Sequence, residues 1–191
     1  MARTWRLLLL ASCIALLFAP IAGHAEDDEE EEEAEYSRVG AYVRASGEAA
    51  WTTAQEGFPY PWLVSWAPEF GLDVTLGWRN SERIAIEAEF EWITNTEGIE
   101  YGSWLFGVNA KYYILEERIQ PYIIAGMNGM WTKVPDATYS LYDWSFRNGI
   151  GVDYYLTPHW AITSETTFVW GVGDLWNNYF LTFGVGAMYR F

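Results

Sequence analysis

The chain has 191 residues, which is enough for one domain and too few to indicate two. Its 26 acidic and 11 basic residues give a formal net charge of −15, which argues against nucleic-acid binding. Hydrophobic residues make up 51% of the chain and aromatic residues 18%. No run after residue 25 reaches the roughly 18 consecutive apolar residues of a transmembrane helix, so the apolar residues must follow another pattern.

The first 25 residues have the layout of a secretory signal peptide. Arg3 and Arg6 precede an apolar run over residues 7–18, and the small-residue site Gly23-His24-Ala25 follows it. We therefore expect residues 1–25 to be a signal peptide that is cleaved after Ala25.

The only cysteine of the chain lies within this segment. Leu10-Ala11-Ser12-Cys13 also fits a lipoprotein box, so lipid attachment at Cys13 is an alternative. A chain cleaved after residue 25 would have no cysteine for a disulfide or a thiolate metal site. Phosphate-binding, zinc and calcium motifs are also missing from the sequence, and we expect no cofactor.

Residues 26–35 form an acidic segment with nine carboxylates. Such a segment repels itself and has no apolar side chains whose burial could offset the entropy of ordering. We expect a disordered tail between the signal peptide and the folded domain. The alternative is a segment that collects cations or binds a partner.

Alternation of apolar and polar residues, the period of a β-strand, begins soon after this tail. It is clearest in two neighbouring segments, 70–79 and 84–92, which are separated by the short turn Asn80-Ser81-Glu82. The segment 122–131 is rich in glycine, and its facing cannot be assigned. Eight such segments are predicted in all: around 38–45, 70–79, 84–92, 103–112, 122–131, 144–156, 160–170 and 179–191.

Short and longer connections alternate between these strands. The short ones are 80–82, 115–120 and 157–159, and we expect them on the periplasmic side. The longer ones, about 50–68, 94–101, 132–142 and 171–178, are expected outside the cell. The pattern predicts an all-β fold for residues 36–191, an eight-stranded antiparallel up-and-down transmembrane β-barrel.

The apolar face of each strand is predicted to face lipid. The other face is rich in glycine, hydroxyl and ionised side chains, which suit a narrow lumen, and the apolar face has Trp and Tyr near its strand ends. The aromatic residues then form two interfacial belts. The belt members are Trp92, Trp104, Trp144 and Trp170 on one side, and Trp78, Tyr112, Tyr154, Trp160, Tyr189 and Phe191 on the other.

The predicted lumen has equal numbers of bases and acids, and an eight-stranded barrel has room inside for side chains only. We therefore expect the charges to pair and the barrel to be closed to ions. Glu87, Glu89 and Glu91 are successive inward positions of one strand, for which a cation site or acid–base pair is the alternative. The inward bases are Arg38, Arg44, Arg79, Lys111, Arg147 and Arg190. The inward acids are Asp73, Glu87, Glu89, Glu91, Asp153 and Glu165.

The last six residues, Gly186-Ala187-Met188-Tyr189-Arg190-Phe191, resemble the C-terminal assembly signal of outer-membrane β-barrels. The matching residues are Gly186, Tyr189 and the terminal Phe191, while Gly184 stands where the signal has a polar residue. This resemblance implies that the outer-membrane assembly machinery recognises the last strand.

Residues 36–191 as a whole resemble the small outer-membrane β-barrel family, the OmpA/OmpX-like group of porin-related proteins. Segments in that style include Arg118-Ile119-Gln120-Pro121-Tyr122 and Gly149-Ile150-Gly151-Val152-Asp153-Tyr154. The resemblance implies a location in the outer membrane of a Gram-negative cell, in contact with the lipid bilayer and lipopolysaccharide. The sequence leaves the oligomeric state open.

The first long connection is the best candidate for a recognition surface. It interleaves the aromatic residues Phe58, Tyr60, Trp62 and Trp66 with prolines that stiffen the backbone. The alternative is that this connection folds over the barrel mouth or packs on its neighbours.

The sequence predicts a non-enzymatic barrel that contributes to envelope integrity or to surface recognition through its loops. A narrow transport path for small or apolar solutes is the first alternative. A lipid-modifying enzyme is the second, but it needs a cluster of His, Ser and acidic residues near the outer rim. His159 instead lies in a predicted periplasmic turn, so we expect no catalytic site.

Overall fold

The computed structural model describes residues 36–52, 69–94, 102–133, 140–173 and 179–191. All of these residues belong to the compact unit Glu31–Phe191, and none belongs to the other unit of the chain, Met1–Glu30. The predicted signal peptide, the acidic tail and most of the long connections also lie outside the described residues.

The described residues form eight strands, consistent with the alternation in the sequence. Each strand is 11 to 16 residues long, enough to cross a bilayer when tilted. Their bounds are β1 Gly40–Thr52, β2 Glu69–Arg79, β3 Ile84–Thr94, β4 Gly102–Tyr113, β5 Ile119–Lys133, β6 Ser140–Tyr155, β7 Trp160–Gly171 and β8 Tyr179–Arg190.

Every strand pairs antiparallel with its neighbours in sequence, and β1 also pairs with β8. The closing register runs from Tyr42 opposite Arg190 to Thr52 opposite Phe180. Closure leaves no open sheet edge, which is what a β-structure needs in hydrocarbon, where an unpaired amide has no water to bind. The predicted fold class is confirmed.

The two ends of the barrel differ in their connections. One end, here the turn end, has the short connections 80–83, 114–118 and 156–159 together with Tyr36 and Phe191. Four longer segments, 53–68, 95–101, 134–139 and 174–178, leave the other end, here the loop end. Up-and-down connectivity therefore brings the strand ends that flank these four segments to one rim.

The facing of the strands follows the predicted alternation. In β3, Glu87, Glu89 and Glu91 are buried, while Ile86 and Phe90 are exposed on the outer wall. Outer aromatic residues meet across strands near the loop end, where Trp92 lies opposite Trp104, and Trp104 lies opposite Trp131. The belt at this end therefore includes Trp131, which the sequence pattern missed.

β5 is the strand whose facing could not be predicted. Its inward residues include Tyr122, Ile124 and Met130, while Ile123 and Met127 face outward. Both faces are apolar because the two ends of the lumen are themselves apolar. The strand also starts at Ile119, so the predicted turn over 115–120 is shorter than expected.

The interior is layered along the barrel axis, with charged residues between two apolar clusters. The turn-end cluster consists of Tyr42, Ala85, Tyr113, Tyr122, Ile124, Tyr155, Ala161 and Met188. The loop-end cluster consists of Ala50, Ile93, Leu105, Met130, Val169 and Phe180. Glycines give the large rings room: a Cβ at Gly77 would overlap the ring of Tyr42, and one at Gly151 the ring of Tyr122.

Candidate functional site

Arg44, on β1, is the centre of the charged layer. Its Nη1 lies 2.6 Å from Glu165 Oε2, and its Nη2 lies 3.2 Å from Asp73 Oδ1. Nη2 also donates a hydrogen bond of 3.1 Å to the Thr75 hydroxyl. Glu89 and Glu87 follow at 3.8 and 4.0 Å. One guanidinium, whose side chain is 2% exposed, thus connects β1 with β2, β3 and β7.

Lys111, on β4, adds a second base next to the same carboxylates. Its Nζ lies 3.0 Å from Glu87 Oε1 and 3.5 Å from Glu165 Oε2. The ammonium also lies 4.0 Å from the centre of the Tyr122 ring, in a cation–π contact. The Tyr122 hydroxyl donates a 2.7 Å hydrogen bond to Glu165, so Tyr122 and Lys111 contact the same carboxylate.

Arg147, on β6, reaches across the lumen to β3. Its Nη1 pairs with Glu89 and its Nη2 with Glu91, and Asn109 also donates to Glu89. Both partners of each ion pair are almost fully buried. A planar guanidinium with two carboxylate partners is a rigid link across the lumen.

The structure brings the six predicted network residues, Arg44, Glu87, Glu89, Lys111, Arg147 and Glu165, into one connected cluster. The carboxylates of β3 each contact a base of the same chain. Among the described residues, no group of three or more His, Cys, Asp or Glu side chains is arranged to hold a metal ion.

The predicted equality of inward charges is wrong. Arg38 precedes β1 and is exposed, and its guanidinium donates to the Phe191 carbonyl at 3.2 Å instead of entering the lumen. Glu48 and Glu69 are buried, although the predicted lumen omitted them. The described interior therefore has five bases and eight acids. The alternation within each strand does predict that both glutamates point inward, since each lies an even number of residues from an assigned inward position.

The turn end of the lumen is closed by main chain of the segment before β1. The Tyr36 carbonyl accepts hydrogen bonds from Arg190 at 2.6 Å, Gln120 at 3.1 Å and Arg79 at 3.4 Å. The Tyr36 ring packs against Tyr155 with a centroid distance of 5.7 Å. Side chains from β2, β5 and β8 thus hold one peptide group across the opening.

A charge pair outside the strands joins two connections of the turn end. Arg83 donates to Glu116 across the ends of the β2–β3 and β4–β5 connections. This hydrogen bond raises the pKa of the exposed Arg83 guanidinium above its usual value.

Of the predicted assembly-signal residues, Gly186 and Tyr189 lie on β8, beside the closing seam, and Phe191 directly follows the strand. Gly186 is opposite Ser46, and a Cβ at Gly186 would overlap the Ala45 carbonyl and the Ser46 hydroxyl. The Tyr189 ring packs on Trp160 at 4.9 Å and on Phe191 at 5.2 Å. The four candidate recognition residues Phe58, Tyr60, Trp62 and Trp66 lie outside the described residues.

His159 lies in the β6–β7 connection at the turn end, as predicted. Its Nδ1 is 2.9 Å from the Arg190 carbonyl oxygen, and its ring stacks on Tyr189. These contacts join the connection to the last strand. They give His159 a structural role at the turn end.

Comparison with known proteins identifies the family. The family described as "Outer membrane protein beta-barrel domain" matches residues 11–191. No curated protein matches the chain. Neisserial surface protein A is similar in structure, with a TM-score of 0.65 and 16% identity, over 80% of this chain and 97% of that one.

Two further solved barrels show the same fold. Ail, the attachment invasion locus protein of Yersinia pestis, matches with a TM-score of 0.54 and 14% identity, over 81% of this chain and 100% of that one. The N-terminal β-barrel domain of Pseudomonas aeruginosa OprF also gives 0.54, with 13% identity, over 80% of this chain and 100% of that one. With the family match, these findings show that the chain belongs to the outer-membrane β-barrel proteins of Gram-negative bacteria.

Proposed function

We propose that this protein is a non-enzymatic, non-conducting outer-membrane barrel that presents its loop-end segments for surface recognition. In this proposal residues 1–25 direct export and are removed, residues 26–35 form a periplasmic leader, and the loop end faces the outside. The observation that carries the proposal is the filled lumen. Ion pairs of Arg44 and Arg147 cross the lumen, and apolar clusters lie towards both of its ends.

The filled lumen favours recognition over a transport path. A conducting barrel needs a continuous aqueous channel, such as the one left by porins of about 16–18 strands, whereas the interior of an eight-stranded barrel is just wide enough for side chains. Here Arg44, Lys111 and Arg147 cross the middle of the lumen, and each is buried. Moving any of these side chains aside would separate a buried ion pair, which costs about 3–5 kcal/mol.

The composition of the four loop-end segments indicates the class of partner. Together they have five acidic residues and no lysine, arginine or histidine, and seven aromatic residues. Ail has been solved with sucrose octasulfate, a heparin analogue, which is a polyanion. Acidic segments would repel a polyanion, so this chain fits a neutral or cationic partner with apolar surface.

We expect the pure protein to show no steady ion conductance in a planar lipid bilayer. The physical reason is the filled lumen, because the ion pairs leave no open path between the two apolar clusters. A matched control is Arg147→Ala, which removes one of the two arginine side chains that cross the charged layer and should give, at most, brief openings. Large and long-lived channels from the parent protein would instead support the transport alternative.

Replacing both Tyr60 and Trp62 by Ser should weaken surface binding without lowering barrel stability much. The two rings offer contact area at low entropic cost, since each has few rotatable bonds. Surface binding is measured as the adhesion of bacteria that express the parent or the double variant, and stability is measured by urea unfolding of each purified barrel. Unchanged adhesion with a loss of stability would favour packing of this segment over the barrel mouth.

A further inference from the structure

In the described strands, the lipid-facing wall has a single polar patch in its middle. Apart from aromatic residues, the outward positions between the two belts are Gly, Ala, Pro, Val, Leu, Ile and Met in the described strands. Three neighbouring outward residues of β6 and β7 are the exceptions: Asn148, Ser164 and Thr166. Polar side chains within a bilayer are costly and mark sites that contact something other than lipid.

Asn148 lies deep in the membrane. On the outer face of β6 it is four residues from Trp144 on the loop side and six from Tyr154 on the turn side, and both aromatic residues are exposed. With a rise of about 3.3 Å per residue and a tilt of roughly 40°, the amide lies about 10 Å below the level of Trp144. Headgroups and water therefore do not reach it.

The Asn148 amide has no partner among the described residues of its own chain. It is exposed on the outer wall, and no hydrogen bond or other polar contact involves its side chain. A carboxamide has two donor hydrogens and an acceptor oxygen. Leaving all of them in hydrocarbon costs on the order of several kcal/mol relative to water.

The surface beside Asn148 allows close approach. In the register, Asn148 is directly opposite Ala125 of β5, and Ala125 is directly opposite Ala110 of β4. These residues form a row across three strands, and the larger Phe168 borders it on β7. Two alanines beside an amide make a shallow depression, and small residues of this kind let protein surfaces pack closely in membranes.

We propose that this surface is the interface of a homodimer, in which Asn148 of one copy binds Asn148 of the other. In a symmetric dimer, two copies inserted in the same direction are related by a two-fold axis along the membrane normal. A residue near such an axis then meets its own counterpart at the same depth. An amide is self-complementary in this arrangement, because each copy donates to the oxygen of the other.

The first test measures self-association in phosphatidylcholine vesicles. Two populations of the protein, labelled at the α-amino group with donor and acceptor dyes, are mixed and diluted with lipid. Asn148→Leu should lose energy transfer at a lipid-to-protein ratio on the order of tenfold lower than the parent does. The matched control Val74→Leu, on the outer face of β2, should dilute like the parent.

The second test locates the interface independently. In a Cys13→Ala background, Ala125→Cys should form disulfide-linked dimers on oxidation with copper phenanthroline. Ala45→Cys should not, because β1 is four strands from β5 in the closed barrel. The proposal is overturned if the parent is monomeric at every dilution, if Asn148→Leu associates like the parent, or if Ala45→Cys cross-links as readily as Ala125→Cys.

Discussion

Arg44→Met should lower the free energy of unfolding by about 3–5 kcal/mol. The substitution keeps a long side chain in the lumen but removes the charge that faces Asp73 at 3.2 Å and Glu165 at 2.6 Å. The carboxylates then remain buried without this base, and the cost arises from their lost solvation. Urea unfolding in lipid vesicles, followed by tryptophan fluorescence, measures the change.

Two further variants show whether the loss comes from stranded charge. Asp73→Asn in the Arg44→Met background should restore part of the stability, since among the described residues Asp73 forms an ion pair only with Arg44. Arg38→Met should have a much smaller effect, because Arg38 is exposed and donates one hydrogen bond to the Phe191 carbonyl. Equal losses in Arg38→Met and Arg44→Met would contradict a charged layer that stabilises the barrel.

Deleting Phe191 should reduce the amount of folded barrel in the outer membrane several-fold. The expected cause is lost recognition of the last strand by the assembly machinery, as its resemblance to the C-terminal signal implies. The residue makes few contacts in the finished fold, in which it is 67% exposed. Its ring packs on Tyr189, its amide donates a 3.1 Å hydrogen bond to the Ala41 carbonyl, and its carbonyl accepts one from Arg38. Heat-modifiable migration of outer-membrane fractions measures the yield.

Refolding the purified deletion variant in detergent distinguishes an effect on assembly from an effect on stability. We expect its urea midpoint to stay close to that of the parent, while the yield in cells falls. Phe191→Trp should keep the yield, because an aromatic residue remains at the terminus. A normal cellular yield of the deletion variant would argue against the assembly signal.

The sequence predicted the architecture well because lipid and lumen impose opposite chemistry on alternate residues. In the β2–β3 hairpin, Leu76 and Ile86 face lipid while Asp73 and Glu87 face the lumen, so the period of two is unmistakable. A soluble protein buries the apolar faces of its strands in a core, whereas this barrel exposes them to the lipid of the membrane. The facing of every strand except β5 could therefore be assigned without knowledge of its partners.

The details that failed share a physical cause, which is position near a strand end. Arg38 follows the inward parity of β1 but lies before the strand starts, where its guanidinium turns to the chain terminus. The buried Glu48 and Glu69 lie near the loop-end limits of β1 and β2, where the alternation gives way to a long connection. β5 was ambiguous because Tyr122 and Met130 belong to the apolar layers at the two ends of the lumen.

The geometry of the ion pairs was beyond the sequence for another reason. Alternation tells which side chains point inward, but an inward residue has seven other strands within its reach. Arg147 could have paired with Asp73 or Glu165 on charge alone, and it pairs with Glu89 and Glu91 of β3 across the lumen. Only the register and the lengths of the side chains decide between these partners.

The three hydrogen bonds to the Tyr36 carbonyl also imply an order of events in barrel folding. One of its three donors, Arg190, is the penultimate residue of the chain, while Tyr36 precedes the first strand. The peptide group cannot be held fully until the final strand has arrived beside β1. We therefore expect Tyr36 to be held by all three donors only once the barrel has closed, and protection of the chain at Tyr36 from an added protease would report barrel closure.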